Sequence, residues 1–361
     1  MTPAPEIEKR RRDIAALLPD LKADALLVAS SANVRYLSGF DGSNGLILLM
    51  PGETHFFTDP RYAITAHQNI AGKVHVAKGP LVAAAAKVIQ RKRLKRIGFE
   101  AGWTQYDAFE RLQKALGRAS SLVPVGRVIE ERRMYKSPDE IDTIRRSVNL
   151  NSEAYAKVLK RIRPGVRELD IAAEIEYQMK MLGAEKPAFD TIVAAGAHAA
   201  LPHAHPGSYR LTGNELLLVD MGAMLQGYCS DMTRTVHLGT PPKRIREMYN
   251  AVLEAQLAGI AAVRPGVTAG KIDVVTRRVL KQHGLDKAFV HSTGHGLGLE
   301  IHEAPRLGKK DPTKLAPGMA ITIEPGVYLE GFAGIRIEDT VLVTETGCDV
   351  LTPSPKEFIV I

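Results

Sequence analysis

Cysteine is almost missing from this chain: its 361 residues contain two, Cys229 and Cys348. That excludes a disulfide scaffold or a CxxC metal knuckle and points to a reducing, cytoplasmic setting. Long apolar runs are missing as well. The longest, residues 45–52 and 81–89, fall short of the ~18–20 residues of a membrane span. Asp13, Pro19, Asp20 and Lys22 interrupt anything resembling a secretory apolar region. Aromatics make up 6% of the chain, and none interleave with the basic clusters at 9–12, 91–96 and 243–246. The net charge of +8 therefore reads as solvated helix faces and helix ends, without a stacking platform for nucleic acid. No G-x-G-x-x-G follows a strand, so a dinucleotide site has no support.

What is present describes an ordinary globular protein, 45% hydrophobic and 24% charged, long enough for two domains. Through residue ~128 short apolar strands (24–30, 45–50, 54–59, 73–77, 96–100) alternate with helical segments (6–18, 60–70, 104–116), the pattern of a mixed α/β domain. Ser137-Pro138-Asp139-Glu140 then opens a long helix, with proline at the first helical position and acids in the first turn. A boundary near 130 divides the chain into residues 1–129 and 130–361. The second part has a weak internal symmetry: two helices and a hairpin (215–238), then two more helices (243–263, 268–283) and a hairpin (319–344).

Each hairpin carries two acids among apolar neighbours. A turn centred between Leu225 and Gln226 sets Asp220 directly opposite Asp231. Glu324 and Glu338 lie equidistant from Gly331, although Pro325-Gly326 could insert a bulge and loosen that register. Opposed like charges destabilise a strand pair, and a buried pair forces one member to keep its proton. Divalent cations resolve the conflict, since oxygen-rich sites suit hard or borderline metals. The Gly-rich segment 291–305 adds His291, His295 and His302. Its glycines argue against the helix that a zincin H-E-x-x-H needs. His203 and His205 sit in a Pro-rich loop. Taken singly, any of these acids or histidines is more often structural, as we read His205, His237, His283 and Asp339; jointly, Asp220, Asp231, His295, Glu324 and Glu338 have the ligand chemistry of a two-metal hydrolase.

The series "VDMGA…YCSDMTRT", "STGHGLGLEIHEAP", "ITIEPGVY" and "GIRIEDTV", with "KMLGAEKPAFDTIVAAG" and "LPH" before it, closely resembles the pita-bread metallopeptidases, in the branch of prolidases and aminopeptidases P. "NVRYLSGFDGSNGLILL" and "TDPRY" are similar to the smaller creatinase-type domain of that branch. The resemblance implies an α/β (α+β) fold: a small creatinase-like domain and a pita-bread catalytic domain with pseudo-twofold symmetry. It implies two divalent ions, manganese first and cobalt or zinc as alternatives. Asp231 and Glu338 would bridge them, Asp220 would complete one site, and His295 with Glu324 the other. Metal-bound hydroxide would attack the bond before proline, with Glu324 as proton shuttle. His203 and His302 would bind substrate and stabilise the transition state, and His291 and Arg336 would support the metals. The implied substrates are short proline-containing peptides, handled by a homodimer.

"RYLSGFDGS" tilts the reading toward an Xaa-Pro aminopeptidase, with Xaa-Pro dipeptidase as the alternative. A dipeptidase needs a cation for the substrate carboxylate, for which Arg35, Arg61 and His67 are possible donors. A non-catalytic peptide-binding module is disfavoured because all five ligand positions are filled. Leu-Pro-His-Ala-His-Pro-Gly replaces the common Leu-Pro-His-Gly, so His205-Pro206 alters the loop after His203.

Overall fold

The computed structural model describes residues 4–361 and divides into two compact units, residues 1–133 and 134–361. The short helix Val128–Arg133, which spans the expected boundary, belongs to the first unit. Among the described residues no helix is long and apolar enough to cross a membrane.

The first unit is a six-stranded mixed sheet with helices, as its alternating pattern predicts. Ala25–Val28 lies inside it, antiparallel to Gly45–Met50 on one side and parallel to Arg96–Glu100 on the other. Glu53–Thr58 and Lys73–Val76 extend one side, and Ser121–Val125 closes the other. That last strand carries Pro124, which an edge position tolerates. Leu27, Leu46, Leu48 and Phe57 pack against Ala85, Ala86, Val88 and Ile89 of the helix Leu81–Lys92.

The second unit begins with the helix Pro138–Leu159, held by the capping box expected of its sequence: Ser137 and Glu140 each accept the other's backbone N–H. The helix Glu168–Met181 follows, then a three-stranded sheet in the order Met232–Leu238, Glu215–Met221, Ile192–Ala195. The second half repeats this order. Helices Lys243–Ala262 and Ala269–Gln282 precede a sheet in which His295–Gly296, Ala320–Ile323 and Asp339–Val343 are consecutive neighbours.

Every residue of Glu215–Met221 is buried, because both faces of the strand are covered. Leu217, Val219 and Met221 pack with Tyr155, Ile171 and Ile175 of the first two helices. Leu216 and Leu218 pack on the other side with Ile335 and Ile337. Asp220 shares the face of Leu216 and Leu218 by the two-residue period of a strand. It is a carboxylate at the end of an apolar row.

The aspartate hairpin is not in the predicted register. Asp220 stands opposite Thr233, and the pairing continues through Met224 opposite Cys229 and Leu225 opposite Tyr228. The turn is therefore Gln226-Gly227, both with positive φ (49° and 81°), the geometry of a tight hairpin turn whose twist matches the strands. The slip makes Asp231 a diagonal neighbour of Asp220 on the same face. Diagonal residues are ~7–8 Å apart against ~5 Å for a direct pair, which eases the repulsion. The glutamate hairpin keeps its symmetric register. Ile323 pairs with Asp339 and Gly326 with Arg336, so Glu324 and Glu338 face each other between them, and Gly331 sits at the turn with φ 69°.

Candidate functional site

The two hairpins are stitched edge to edge beside the acids. Glu338 N–H donates to the Thr233 carbonyl (3.2 Å), the Thr340 hydroxyl to the Asp231 carbonyl (2.9 Å) and the Thr235 hydroxyl to the Arg336 carbonyl (2.9 Å). Glu324 is placed from a third direction, its N–H donating to the Thr293 carbonyl (2.8 Å) of the segment that carries His295.

This brings Asp231, His295 and Glu338 together with one potential ligand atom from each, all within 4.8 Å of one another, the one such group among the described residues. His295 Nδ1 lies 3.0 Å from the Gly296 carbonyl. That contact leaves Nε2 for the cluster, 3.3 Å from Glu324 Oε1 and 3.6 Å from Asp231 Oδ2. Glu324 Oε1 also accepts from the Thr322 hydroxyl (3.0 Å). Thr233 bridges the remaining acids: its hydroxyl donates to Glu338 Oε2 (2.7 Å) and accepts from Arg336 Nε (3.0 Å). Arg336 in turn pairs with Asp220 Oδ2 at 2.5 Å. The four acids and one imidazole of the predicted ligand set thus lie in one connected group, with Asp220 joined to it through Arg336.

Its electrostatics are those of acids lacking sufficient cations. Burial pushes the Asp231 and Glu338 carboxyls well above the ordinary range, and neighbouring carboxylates push further. Burial also raises Asp220, against the pull of Arg336. Burial acts upward on Glu324 too, but the hydrogen bond and charge of His295 win and hold it at about 2. His295 is raised despite the opposing effect of burial, because Glu324 favours its cation. Asp220 Oδ1 and Glu338 Oε1 are buried with no hydrogen-bond partner. Buried polar atoms are rarely left so, and two orphaned carboxylate oxygens facing a carboxylate–imidazole cluster are what a bound divalent cation would satisfy. The donor set fits the metals that the sequence implies.

The other predicted residues fall around this core. His302 is exposed, its ring centroid 4.4 Å from that of His295. The next residue, Glu303, pairs with Lys136 at 3.1 Å and fixes that segment. His291 lies 2.9 Å from the Tyr328 hydroxyl, which also accepts from Arg336. His203 is exposed on its loop, and its charge bears on both His291 and His302. His205 is exposed as well. His283 pairs with Glu254 (2.8 Å), and His237 lies 3.1 Å from the Gly239 carbonyl, both as expected of structural histidines. Asp339 binds Arg234 (2.8 Å) and Gln256 (2.8 Å) away from the acids.

Sequence reasoning missed Thr233, Thr322 and Tyr328, which hold the acids and Arg336 in place. Thr233 and Thr322 lie two residues from Asp231 and Glu324, the spacing of one strand face, whereas Tyr328 lies on the separate strand Gly326–Leu329 and carries no such signal. It missed Arg306 too, which pairs directly across the strand from His295 and is exposed. Arg61, one of the cations considered for a substrate carboxylate, is committed to Asp59 at 2.7 Å.

Comparison with known proteins places these features in context. Residues 142–345 match the model of "Metallopeptidase family M24", and residues 10–135 that of the "Creatinase/Prolidase N-terminal domain". A Xaa-Pro dipeptidase of Pyrococcus furiosus is 36% identical over 98% of this chain and 100% of its own length. The structure of a Xaa-Pro dipeptidase from Bacillus anthracis superimposes with a TM-score of 0.95, at 35% identity over 98% of this chain and 100% of that one. The structure of an X-Pro aminopeptidase from Thermotoga maritima gives a TM-score of 0.88 and 34% identity, covering 94% of this chain and 98% of that one.

Proposed function

Because the chain belongs to metallopeptidase family M24 and carries the creatinase/prolidase N-terminal domain, we propose that this enzyme is an Xaa-Pro dipeptidase, splitting dipeptides that end in proline. The observation that carries the chemistry is the cluster of Asp231, His295 and Glu338, with a buried unpartnered oxygen on Glu338 itself and another on Asp220. The tilt toward an aminopeptidase gives way to the alternative, since the dipeptidase name recurs among relatives matched over 94% to 100% of their own length.

Asp220, Asp231, His295, Glu324 and Glu338 would hold a pair of divalent ions, manganese in our reading. Bound there, such ions polarise the scissile carbonyl and acidify water toward neutrality. The residues themselves do the rest. Glu324, whose Oε1 lies 3.3 Å from His295 Nε2, would take the proton of the attacking water and deliver it to the departing proline nitrogen. His302 and His203, exposed around the cluster, hydrogen-bond the substrate's carbonyl oxygen. Arg336 holds Asp220 in place through their ion pair and favours its charged form against burial. Arg306, on the face of His295, is our candidate for the substrate carboxylate, which a guanidinium binds through a two-pronged contact.

The test is an assay of the manganese-loaded protein on Ala-Pro, Ala-Pro-Ala and Met-Ala-Ser. Cleavage of Ala-Pro well above the tripeptides is expected. Preference for Ala-Pro-Ala would restore the aminopeptidase reading, and cleavage of Met-Ala-Ser alone would remove both.

A further inference from the structure

One buried carboxylate outside the cluster holds a segment that reaches it. Glu168 opens the helix Glu168–Met181 and is 0% exposed. It accepts the Ala195 N–H at Oε1 (2.8 Å) and the Gly207 N–H at Oε2 (3.1 Å). His198 Nδ1 lies 2.9 and 3.1 Å from its two oxygens. One side chain thus fastens the start, the interior and the end of the segment that carries His203 and His205. The helix end reinforces the closure: Glu168 N–H donates to the Tyr209 carbonyl and Leu169 N–H to the Gly207 carbonyl, each at 3.1 Å.

The inner edge of the same segment rests on the glutamate hairpin. The Pro202 carbonyl accepts from Arg336 (3.4 Å), and the Ala199 carbonyl lies so close to Gly334 that a Cβ there would meet it at 1.8 Å. Between these anchors Leu201, His203 and His205 are exposed. A segment tied at both ends and along one edge holds its exposed imidazole in one place.

The second half repeats the device. Asp273 of the helix Ala269–Gln282 is also 0% exposed and accepts the N–H (3.1 Å) and hydroxyl (2.9 Å) of Thr293. It pairs with Arg277 at 2.7 Å, and Arg277 donates to the Phe289 and His291 carbonyls. Each half therefore uses a buried acid on its second helix to pin a histidine-bearing segment.

We propose that Glu168 is a positioning residue that sets His203 against the substrate. This rests on the dipeptidase reading for its kinetic consequence, though not for the anchoring itself. Glutamine in its place keeps the shape but loses half of the acceptor capacity, so one end of the segment comes loose. A displacement of ~1 Å at a positioned group costs up to ~100-fold in rate.

The experiment is a double-mutant cycle of Glu168→Gln and His203→Ala on Ala-Pro hydrolysis, with amide hydrogen exchange over residues 195–207. Glu168→Gln should lower kcat/KM about 10–100-fold in the wild-type background and less than about threefold when His203 is already alanine. Exchange within the segment should quicken, while exchange in the helices Pro138–Leu159 and Lys243–Ala262 should not. Glu168→Asp, which keeps the charge on a shorter stem, should fall between wild type and Gln. Equal losses in both backgrounds, or unchanged exchange in both variants, would overturn the proposal. Should the wild-type protein cleave no Xaa-Pro peptide, the dipeptidase reading fails, while hydrogen exchange still decides whether Glu168 holds the segment.

Discussion

Thr233 is a small side chain and one of the most connected in the site. Its hydroxyl joins Glu338 to Arg336, and its backbone carbonyl receives the Glu338 N–H. Thr233→Val keeps the shape and removes both side-chain bonds. Metal affinity should then fall about tenfold or more, read by metal titration of a protein whose far-UV circular dichroism is unchanged; an unaltered affinity would show that Thr233 only fills space. Asp231→Asn removes a charge from the cluster itself. It should abolish turnover and the thermal stabilisation that metal confers, and retention of full metal stoichiometry with turnover would contradict its role as a ligand. Arg306→Ala should raise KM about 10–100-fold for Ala-Pro, the size of a lost charge-assisted bond, and much less for Ala-Pro-Ala with its carboxylate one residue further on. Equal effects on both peptides would remove Arg306 from carboxylate recognition.

At the level of elements, the close passage of the strand Ala333–Arg336 under the 3₁₀ turn Gly196–Ala200 decides where the His203 segment lies. Gly334 is the contact point, and its obstacle is a backbone carbonyl, which has no rotamer to retreat into. Gly334→Ala should therefore destabilise by about 1–3 kcal/mol, seen as a lower denaturant midpoint. A midpoint unchanged from wild type would mean that the turn yields freely. Elements are also where the sequence proved uneven as a guide. The glutamate hairpin was legible because Gly331 marks its own turn. The aspartate hairpin was not, because its turn begins with Gln226 at positive φ, in place of the asparagine or aspartate that usually announces such a turn. The strand Ser121–Val125 was hidden by Pro124, which only an edge position explains. The helix Ser31–Ser38 has eight residues, about two turns, too few for its apolar period to stand out. At the site, ligand-type residues stood out because acids and imidazoles are unusual in apolar strands. Arg306, Glu168 and Asp273 did not, since their meaning depends on partners 11 or more residues away in sequence that no local pattern reveals.

For the whole molecule, the cluster is where cation binding would couple to stability, since burial and neighbouring carboxylates disfavour the charged forms of Asp231 and Glu338. Whatever ion binds the folded protein and not the unfolded chain stabilises it by mass action, about 2.7 kcal/mol at a hundredfold excess over Kd. For a unit of this size that corresponds to roughly 5–10 °C in the melting midpoint. Chelation should lower the midpoint by that order, and readdition of manganese should restore it in a concentration-dependent way. A midpoint indifferent to both treatments would disconnect the acids from any ion.

The hydrogen bonds from Glu338 to Thr233 and from Thr340 to Asp231 join stretches of chain that are more than a hundred residues apart. Of the proposed ligands, Asp220 and Asp231 lie in the first half and His295, Glu324 and Glu338 in the second, so neither half would present the set by itself. In refolding from denaturant, cation capture must therefore lag behind the recovery of helical signal, and an indicator dye that competes for free manganese would serve as a clock for the final docking of the two halves.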